Sequence, residues 1–458
     1  MKATPLFIVT LILFALLMGA GGALAQSRAS EPAKPFQDAS THSFAPVFLF
    51  QAEQQADETA WFQSNTVVDA TGGTHTTFFT NAHIYYAYCR VNCAESGGWT
   101  ITAVADLGPF HSAAHPTLAV NSAGQPRLMG FNGFYYVYGE CNTGCDQPGN
   151  WHFVQLELPM NIMDSYPTNG RYFALDTLGR PRFIIPNNFG TQYFFCDTNC
   201  TDLTNWEFAI LSHDTRLRDM QLVFNNANQP RILGIVSNLE DNYLSLVYAQ
   251  CDSDCTQSDN WHYVTLAAEV GSSTRYPTYA LRLDAAGRPR IAFYKAAGDE
   301  VIHYMWSNAN FTNPASWSGY ELPRPSAEHR TLDLAISSQG RPSIVYASDG
   351  HDLRYLACVS GCETQTPTWT EQNIETGAEL QTTAPIPPAA GCETATWWLD
   401  GYPSLALDTA DNPRLSYHAY HIQSCGGYVS YDAGAIRLAG VAGSTAPDFL
   451  VYLPFTRR

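Results

Sequence analysis

The chain has 458 residues, of which 42 are acidic and 24 are Lys or Arg, for a formal charge of −18. That balance argues against nucleic acid or an anionic membrane as the main partner, because both are gripped by basic surface. Aromatic residues make up 13% and charged residues 14%, with 27 prolines and 33 glycines, the composition of a β-rich fold with many turns.

The first segment carries Lys2, an apolar run from Leu6 to Met18, and Ala23-Leu24-Ala25 with the small-x-small pattern of a signal-peptidase site. Cleavage is expected after Ala25. A retained anchor is the competing reading, but the run is short for a spanning helix. No later stretch is apolar enough to span a bilayer, so an exported chain with no transmembrane segment after cleavage is expected. Residues 26–58 are polar and then include "FAPVFLF", either a linker or a closing strand.

From there a repeat dominates. "YAYCRVNCAESGGW", "YGECNTGCDQPGNW", "YFFCDTNCTDLTNW", "YAQCDSDCTQSDNW" and "YLACVSGCETQTPTW" end at Trp99, Trp151, Trp206, Trp261 and Trp369. A worn copy, "HYMWSNANFTNPASW", ends at Trp317 and reads with Trp306 and Asn310 in the cysteine places. Successive copies lie 52 to 56 residues apart, the signature of a repeat architecture.

A second element recurs in each unit, as in "LDTLGRPRFII" and "LDAAGRPRIAFY". It opens at Asp69, Asn121, Asp176, Asn225, Asp284, Ser337 or Asp408. Three residues later stands Gly72, Gly124, Gly179, Asn228, Gly287, Gly340 or Asp411. Asp, Asn and Ser open type I turns, and Gly, Asn and Asp best tolerate a left-handed backbone. The pattern is therefore a hairpin between two strands, A and B. A Tyr-rich strand C runs to the first cysteine, and strand D starts at the tryptophan.

Four short strands per unit, seven times over, predict an all-β fold, a seven-bladed β-propeller, in preference to a solenoid. Blades are expected near 59–105, 114–157, 165–211, 217–267, 275–323, 329–375 and 401–440. The tail, 441–458, ends "PDFLVYLPFTRR" and reads as a closing strand, simple packing or a surface-sorting tail.

This topology puts the cysteine pairs in C–D loops. In an oxidising compartment they read as staples: Cys89–Cys93, Cys141–Cys145, Cys196–Cys200, Cys251–Cys255 and Cys358–Cys362. Metal or redox use is disfavoured, because the intervening residues vary and one copy lacks both cysteines. Cys392 and Cys425 fall in a D–A connection and a B–C loop, on one face, and a disulfide between them would pin that connection, with Trp397 and Trp398, over the face.

A–B turns and C–D staples share one face, and the irregular D–A and B–C loops share the other, where binding is expected. At the starts of strand A lie His115-Pro116, Tyr166-Pro167, Tyr276-Pro277 and Tyr402-Pro403, with Arg218, Arg275 and Arg330 beside them. With Trp397 and Trp398 these form the candidate ligand set, since such side chains stack on sugar rings and bond hydroxyls or a carboxylate. The competing reading is that X-Pro merely starts the innermost strand. Arg127, Arg182, Arg231, Arg290 and Arg414 recur after the turns and are expected to pair with neighbouring-blade carboxylates or carbonyls, while each strand-D tryptophan is read as blade packing. No metal or cofactor is expected. "NLEDN" and "ASDGHD" lack the ligand spacing of a calcium loop.

The "LDxxGxPRIAYY … YAxC" style, over roughly residues 59–440, resembles the secreted bacterial repeat propellers loosely related to sialidases and other Asp-box proteins. That resemblance implies a sialidase, a glycan-binding lectin or a propeller without activity. The chain departs from the sialidase pattern: no S-x-D-x-G-x-T-W box stands at the C–D hairpins. Arg218, Arg275 and Arg330 would have to imitate an arginine triad, and Asp164, Asp214, Glu269 and Glu328 would have to supply acid–base carboxylates. The expectation is a binding module for a glycan or cell-surface protein. The alternatives are a sialidase-like glycosidase or polysaccharide lyase using the same face, and a structural surface protein.

Overall fold

The computed structural model describes residues 44–53, 63–80, 83–106, 116–131, 135–156, 171–187, 190–212, 217–238, 243–270, 279–294, 301–323, 331–348 and 351–441. They form seven four-stranded antiparallel sheets, and in six of them the strands follow chain order. The blades of this β-propeller span 64–106, 117–156, 173–212, 217–270, 279–323, 332–375 and 394–441. The seventh supplies only strands A, B and C from its own repeat. Its fourth strand is Phe44–Glu53, which runs antiparallel to Tyr428–Val441 from Phe44 opposite Val441 to Glu53 opposite Ala433. The N-terminal apolar segment is thus the closing strand, and it covers a sheet edge that would otherwise be open to another chain. The leader, 1–25, and the tail, 442–458, lie outside the described residues.

Strand B is buried on both sides in blade after blade, as in Pro126–Phe131, Pro289–Tyr294 and Pro342–Ala347. Each blade packs against neighbours on both faces, so its inner strands read as near-continuous apolar runs.

The seven hairpin turns are built alike. The Gly72 N–H donates to the Asp69 carbonyl at 3.0 Å, and the equivalent bond recurs at Gly124, Gly179, Asn228, Gly287, Gly340 and Asp411. All seven of these residues have φ between 62° and 85°. This is a type I turn closed by a left-handed residue, which explains the restriction to Gly, Asn and Asp.

All five expected C–D staples are present, with Cα–Cα separations from 5.6 to 5.9 Å, and so is Cys392–Cys425. The worn copy is in a different phase from the one expected. Ser307, not Trp306, lies opposite Trp317, as Cys251 lies opposite Trp261. The second cysteine place is taken by Phe311, whose carbonyl accepts the Trp317 indole N–H at 2.8 Å, as the Cys255 carbonyl accepts that of Trp261 at 2.9 Å. The Ser307 hydroxyl reaches the Ala309 and Ser316 carbonyls, 3.1 and 3.0 Å away. Hydrogen bonds hold this loop where the others use sulfur.

The strand-D tryptophans join blades. Trp151 meets Tyr86 edge-on, Trp206 meets Tyr138, Trp261 meets Tyr193, Trp317 meets Tyr248 and Trp369 meets Tyr304, with centroids 5.2 to 6.3 Å apart. In each pair the tyrosine stands on strand C of the preceding blade. Blade seven has no tryptophan there, and Phe44 of the closing strand takes its place, edge-on to Tyr355 of blade six at 5.3 Å.

The recurring arginines act mainly within their own blades, not between blades as expected. Arg182 donates to the Cys196 carbonyl at 2.6 Å and pairs with Asp197 at 2.6 Å and Asp176 at 2.9 Å. Arg127, Arg231 and Arg290 reach the same places through Asn142, Asp252 and Asn308. One inter-blade link is Arg290 to Glu363 of blade six, at 2.5 Å. The acceptor directly follows the first cysteine position in each case. Where the arginine is absent the acceptor is absent too: His75 goes with Arg90, and Ser343 with Val359. That covariation, which holds in blades one to six, was a readable signal; Arg414 of blade seven, whose strand C has no cysteine, pairs with Asp408 at 2.9 Å instead.

Candidate functional site

The innermost strands face the channel, so one row of their backbone N–H groups has no strand to pair with. Side chains of the preceding blade fill that need. Asn65 Oδ1 accepts the Leu118 N–H at 3.3 Å, Gln221 Oε1 accepts that of Leu281 at 2.8 Å, and Asp333 Oδ2 accepts that of Leu405 at 2.7 Å. Ser404 Oγ accepts the Thr66 N–H at 2.9 Å, which joins blade seven to blade one. Between blades three and four the Arg171 carbonyl serves, accepting the Leu222 N–H at 3.0 Å.

Asp333 is the charged member of this ring. One of its oxygens takes the Arg282 guanidinium at 2.7 Å, and the other contacts Arg171. Three blades thereby meet at one buried carboxylate. Burial, then the adjacent Arg282 charge, pull the Arg171 guanidinium down to about 10, while Asp333 acts in the opposite sense. Arg171 therefore stays cationic at neutral pH. The channel mouth is lined by the polar residues Gln63, Ser64, Arg171, Gln221, Tyr402 and Ser404, with Pro116, Leu332 and Pro403 between them.

Blade seven rises beside the mouth. Its strands Thr394–Leu407, Pro413–Cys425 and Tyr428–Val441 have 14, 13 and 14 residues, against 3 to 10 in the other blades' strands. The Cys392–Cys425 disulfide clamps the far end. The helix Gly377–Thr383, with a capping box from Thr376 and Glu379, packs alongside. At the hairpin tip Tyr428 is 81% exposed, beside exposed Val429.

Trp397 and Trp398 belong to this extended innermost strand, not to a loop laid over the face. Trp397 is buried, and its indole N–H donates to the Ala384 carbonyl at 3.1 Å, so it anchors the 376–393 connection. Trp398 is half-buried and stacks flat on His351 of blade six, centroids 3.8 Å apart and planes within 10°. Tyr402 lines the mouth with φ 43°, at an irregularity between Gly401 and Ser404 that accommodates Pro403. Arg218 lies on strand A of blade four beside Asp219, whose φ is 50°. Among the described residues, His351, φ 57°, Tyr402 and Asp219 are the non-glycine left-handed residues outside the repeated turns and C–D loops. Asp219 and Tyr402 sit at irregularities within innermost strands, and His351 in the B–C loop of blade six. Strained backbone of this kind persists where the surroundings over-determine it, often at ligand sites.

His115, Tyr166, Arg275, Tyr276 and Arg330 lie outside the described residues, as do Asp164, Asp214, Glu328 and the side chain of Glu269. Of the candidate set, the structure brings Trp398 and Tyr402 onto one strand and Arg218 to the same face. The axial residues Asn65, Arg171, Gln221, Arg282, Asp333 and Ser404 were not foreseen, because no residue type among them recurs at the same position of the repeat.

No family profile and no curated protein matches the chain. Among solved structures it is similar to a Streptococcus pneumoniae NanB sialidase mutant, at 9% identity and TM-score 0.44, over 86% of this chain and 70% of that one. It is also similar to the GH93 alpha-L-arabinofuranosidase of Fusarium graminearum, at 9% identity and TM-score 0.37, over 74% and 98%. The polysaccharide lyase Uly1 aligns at 10% identity and TM-score 0.37, over 86% and 99%. The seven four-stranded sheets themselves establish the β-propeller fold.

Proposed function

We propose that the chain is an exported carbohydrate-binding propeller whose ligand lies on the D–A and B–C face, between the channel mouth and the blade-seven wall. The observation that carries this reading is the wall: three long strands, clamped by a disulfide, that stand the Trp398–His351 stack above a polar mouth. Flat aromatic surface beside fixed hydroxyl and amide groups is what sugar rings recognise. Six disulfides fit an oxidising, extracellular setting, and among the described residues no helix is long and apolar enough to cross a membrane.

The test is a glycan array probed with residues 26–458, with mass spectrometry of any bound sugar. Binding lost in Trp398→Ala or Tyr402→Ala but kept in Tyr428→Ala would support the reading. Binding with cleavage would turn it into an enzyme. Silence on all glycans would leave the protein-partner or structural roles.

A further inference from the structure

Two of the seven innermost strands carry the same irregularity. In blade four Asp219 and Met220 stand opposite Gly234 alone, and in blade seven Tyr402 and Pro403 stand opposite Tyr417 alone. Each pair comes directly before the residue that serves the axial ring, Gln221 or Ser404. In both bulges the first residue is left-handed, at φ 50° and 43°. Glycine would take that backbone at less cost, so the side chains there are kept against a local preference. Among the described residues the other five innermost strands pair without irregularity. They have 3 to 5 residues, against 8 and 14 in blades four and seven.

The blade-four bulge is held from two sides. The Tyr279 hydroxyl of blade five bonds the Asp219 carbonyl and lies 3.4 Å from that of Arg218. Gly234 leaves room for it, since a Cβ there would come within 3.0 Å of Met220 Cγ and 3.1 Å of the Arg218 carbonyl oxygen. Beyond the bulge Arg218 is partly exposed, and among the described residues its guanidinium has no ion-pair or hydrogen-bond partner. Arg171, by contrast, reaches across the axis to Asp333 and Ser404 and gives the mouth a floor. A ligand therefore lies over the channel, not within it. Blades four and seven are three apart in a ring of seven, as far apart as two blades can be. Directly paired strands lie about 4.8 Å apart, so seven inner strands joined through side chains make a ring more than about 10 Å across. That is wider than one sugar ring.

We propose that the ligand is a linear glycan chain that crosses the mouth. One of its sugars lies against Trp398 and Tyr402 of blade seven. Another, further along the chain, is bound through its hydroxyls by the Arg218 guanidinium of blade four, a group with several donors and no acceptor. This rests on the carbohydrate-binding reading and names the class within it: an internal stretch of a chain, not a single terminal sugar.

The test is an array printed with cello-, xylo-, manno-, chito- and galacturono-oligosaccharides, each from one to six sugars long, with affinities of any hits by calorimetry on residues 26–458. In the series that binds, affinity should rise about tenfold or more between two and five sugars, as the second contact is reached. Arg218→Ala should remove that gain and leave the affinity for the two-sugar member unchanged, whereas Trp398→Ala should weaken both. Arg218→Ala should also keep the parent's urea midpoint, which separates lost binding from lost folding. Affinity that does not grow with length would overturn the proposal while leaving carbohydrate binding in place. So would an Arg218→Ala protein that keeps the gain, or that loses equally on short and long chains. Silence across every ladder, single sugars included, would sink the proposal and the carbohydrate-binding reading together.

Discussion

Replacing Asp333 with alanine tests the axial ring most directly. The substitution removes the ion pairs to Arg171 and Arg282 and the acceptor for the Leu405 N–H. Two mostly buried guanidiniums are left facing each other. Removing one partner of a buried pair costs about 3–5 kcal/mol, and the slight exposure of both arginines places the expectation at the lower end. Asp333→Asn keeps an oxygen for Leu405, as Asn65 does for Leu118, and should be milder than alanine by about 1 kcal/mol. Adding Arg171→Gln to Asp333→Ala relieves the like-charge contact and should restore part of the loss. The assay is urea unfolding followed by tryptophan fluorescence, with all disulfides intact, reading the midpoint at constant slope. An Asp333→Ala protein within about 1 kcal/mol of the parent would refute the reasoning. So would an Arg171→Gln change that added its own full cost in the alanine background.

Trp206→Ala should cost about 3–5 kcal/mol by opening the joint to Tyr138, and Phe44→Ala should weaken the equivalent joint at the closure. A urea-midpoint loss equivalent to under about 1 kcal/mol for Trp206→Ala would mean the indole does not bear on the blade contact. Installing the missing staple with Ser307→Cys and Phe311→Cys should give a disulfide detectable by mass spectrometry. It should add at most about 2 kcal/mol, reduced by the lost Phe311 packing. Failure to oxidise in air would show that this loop does not share the staple geometry. Burial holds His418 well below the ordinary histidine value, and it lowers His75 as well, against the opposing pull of Asp69. The unfolded chain therefore takes up these protons first, so stability should be full above about pH 6.5 and fall as pH drops below it. His418→Gln should flatten that slope, and an unchanged slope would remove His418 as its source. Asp69 acts lower still. Burial pushes its carboxyl up, but bonds from His75, Thr71 and the Gly73 N–H outweigh that and bring it to about 2. Its contribution is present above roughly pH 4 and lost toward pH 2.

Much of this molecule is local, and the local part was legible. The seven hairpin turns depend on one residue that opens the turn and one that tolerates a left-handed backbone three positions on. The staples depend on cysteines four apart. These are short-range steric and covalent constraints, so they print a residue type at a fixed spacing, and their period gives the blade count. The phase of the worn copy was misread because, without cysteines, Trp306 drew attention to the wrong position, whereas strand pairing fixes Ser307 opposite Trp317. The extended blade-seven strands also escaped, since Trp397 and Trp398 look like loop residues until their partners His421 and Tyr420 are known.

What only the tertiary structure decided lies between blades. Which tyrosine each tryptophan meets, which segment closes the ring, and which groups satisfy the channel-facing N–H row all depend on residues brought together from 51 positions away, as for Arg282 and Asp333, or from 338, as for Thr66 and Ser404. The axial ring asks only for an acceptor of suitable reach. Asn65, Gln221, Asp333, Ser404 and a bare carbonyl at Arg171 all satisfy it, so it leaves no repeated letter in the sequence. The turns impose residue identity through backbone geometry, whereas the axis imposes only hydrogen-bonding capacity.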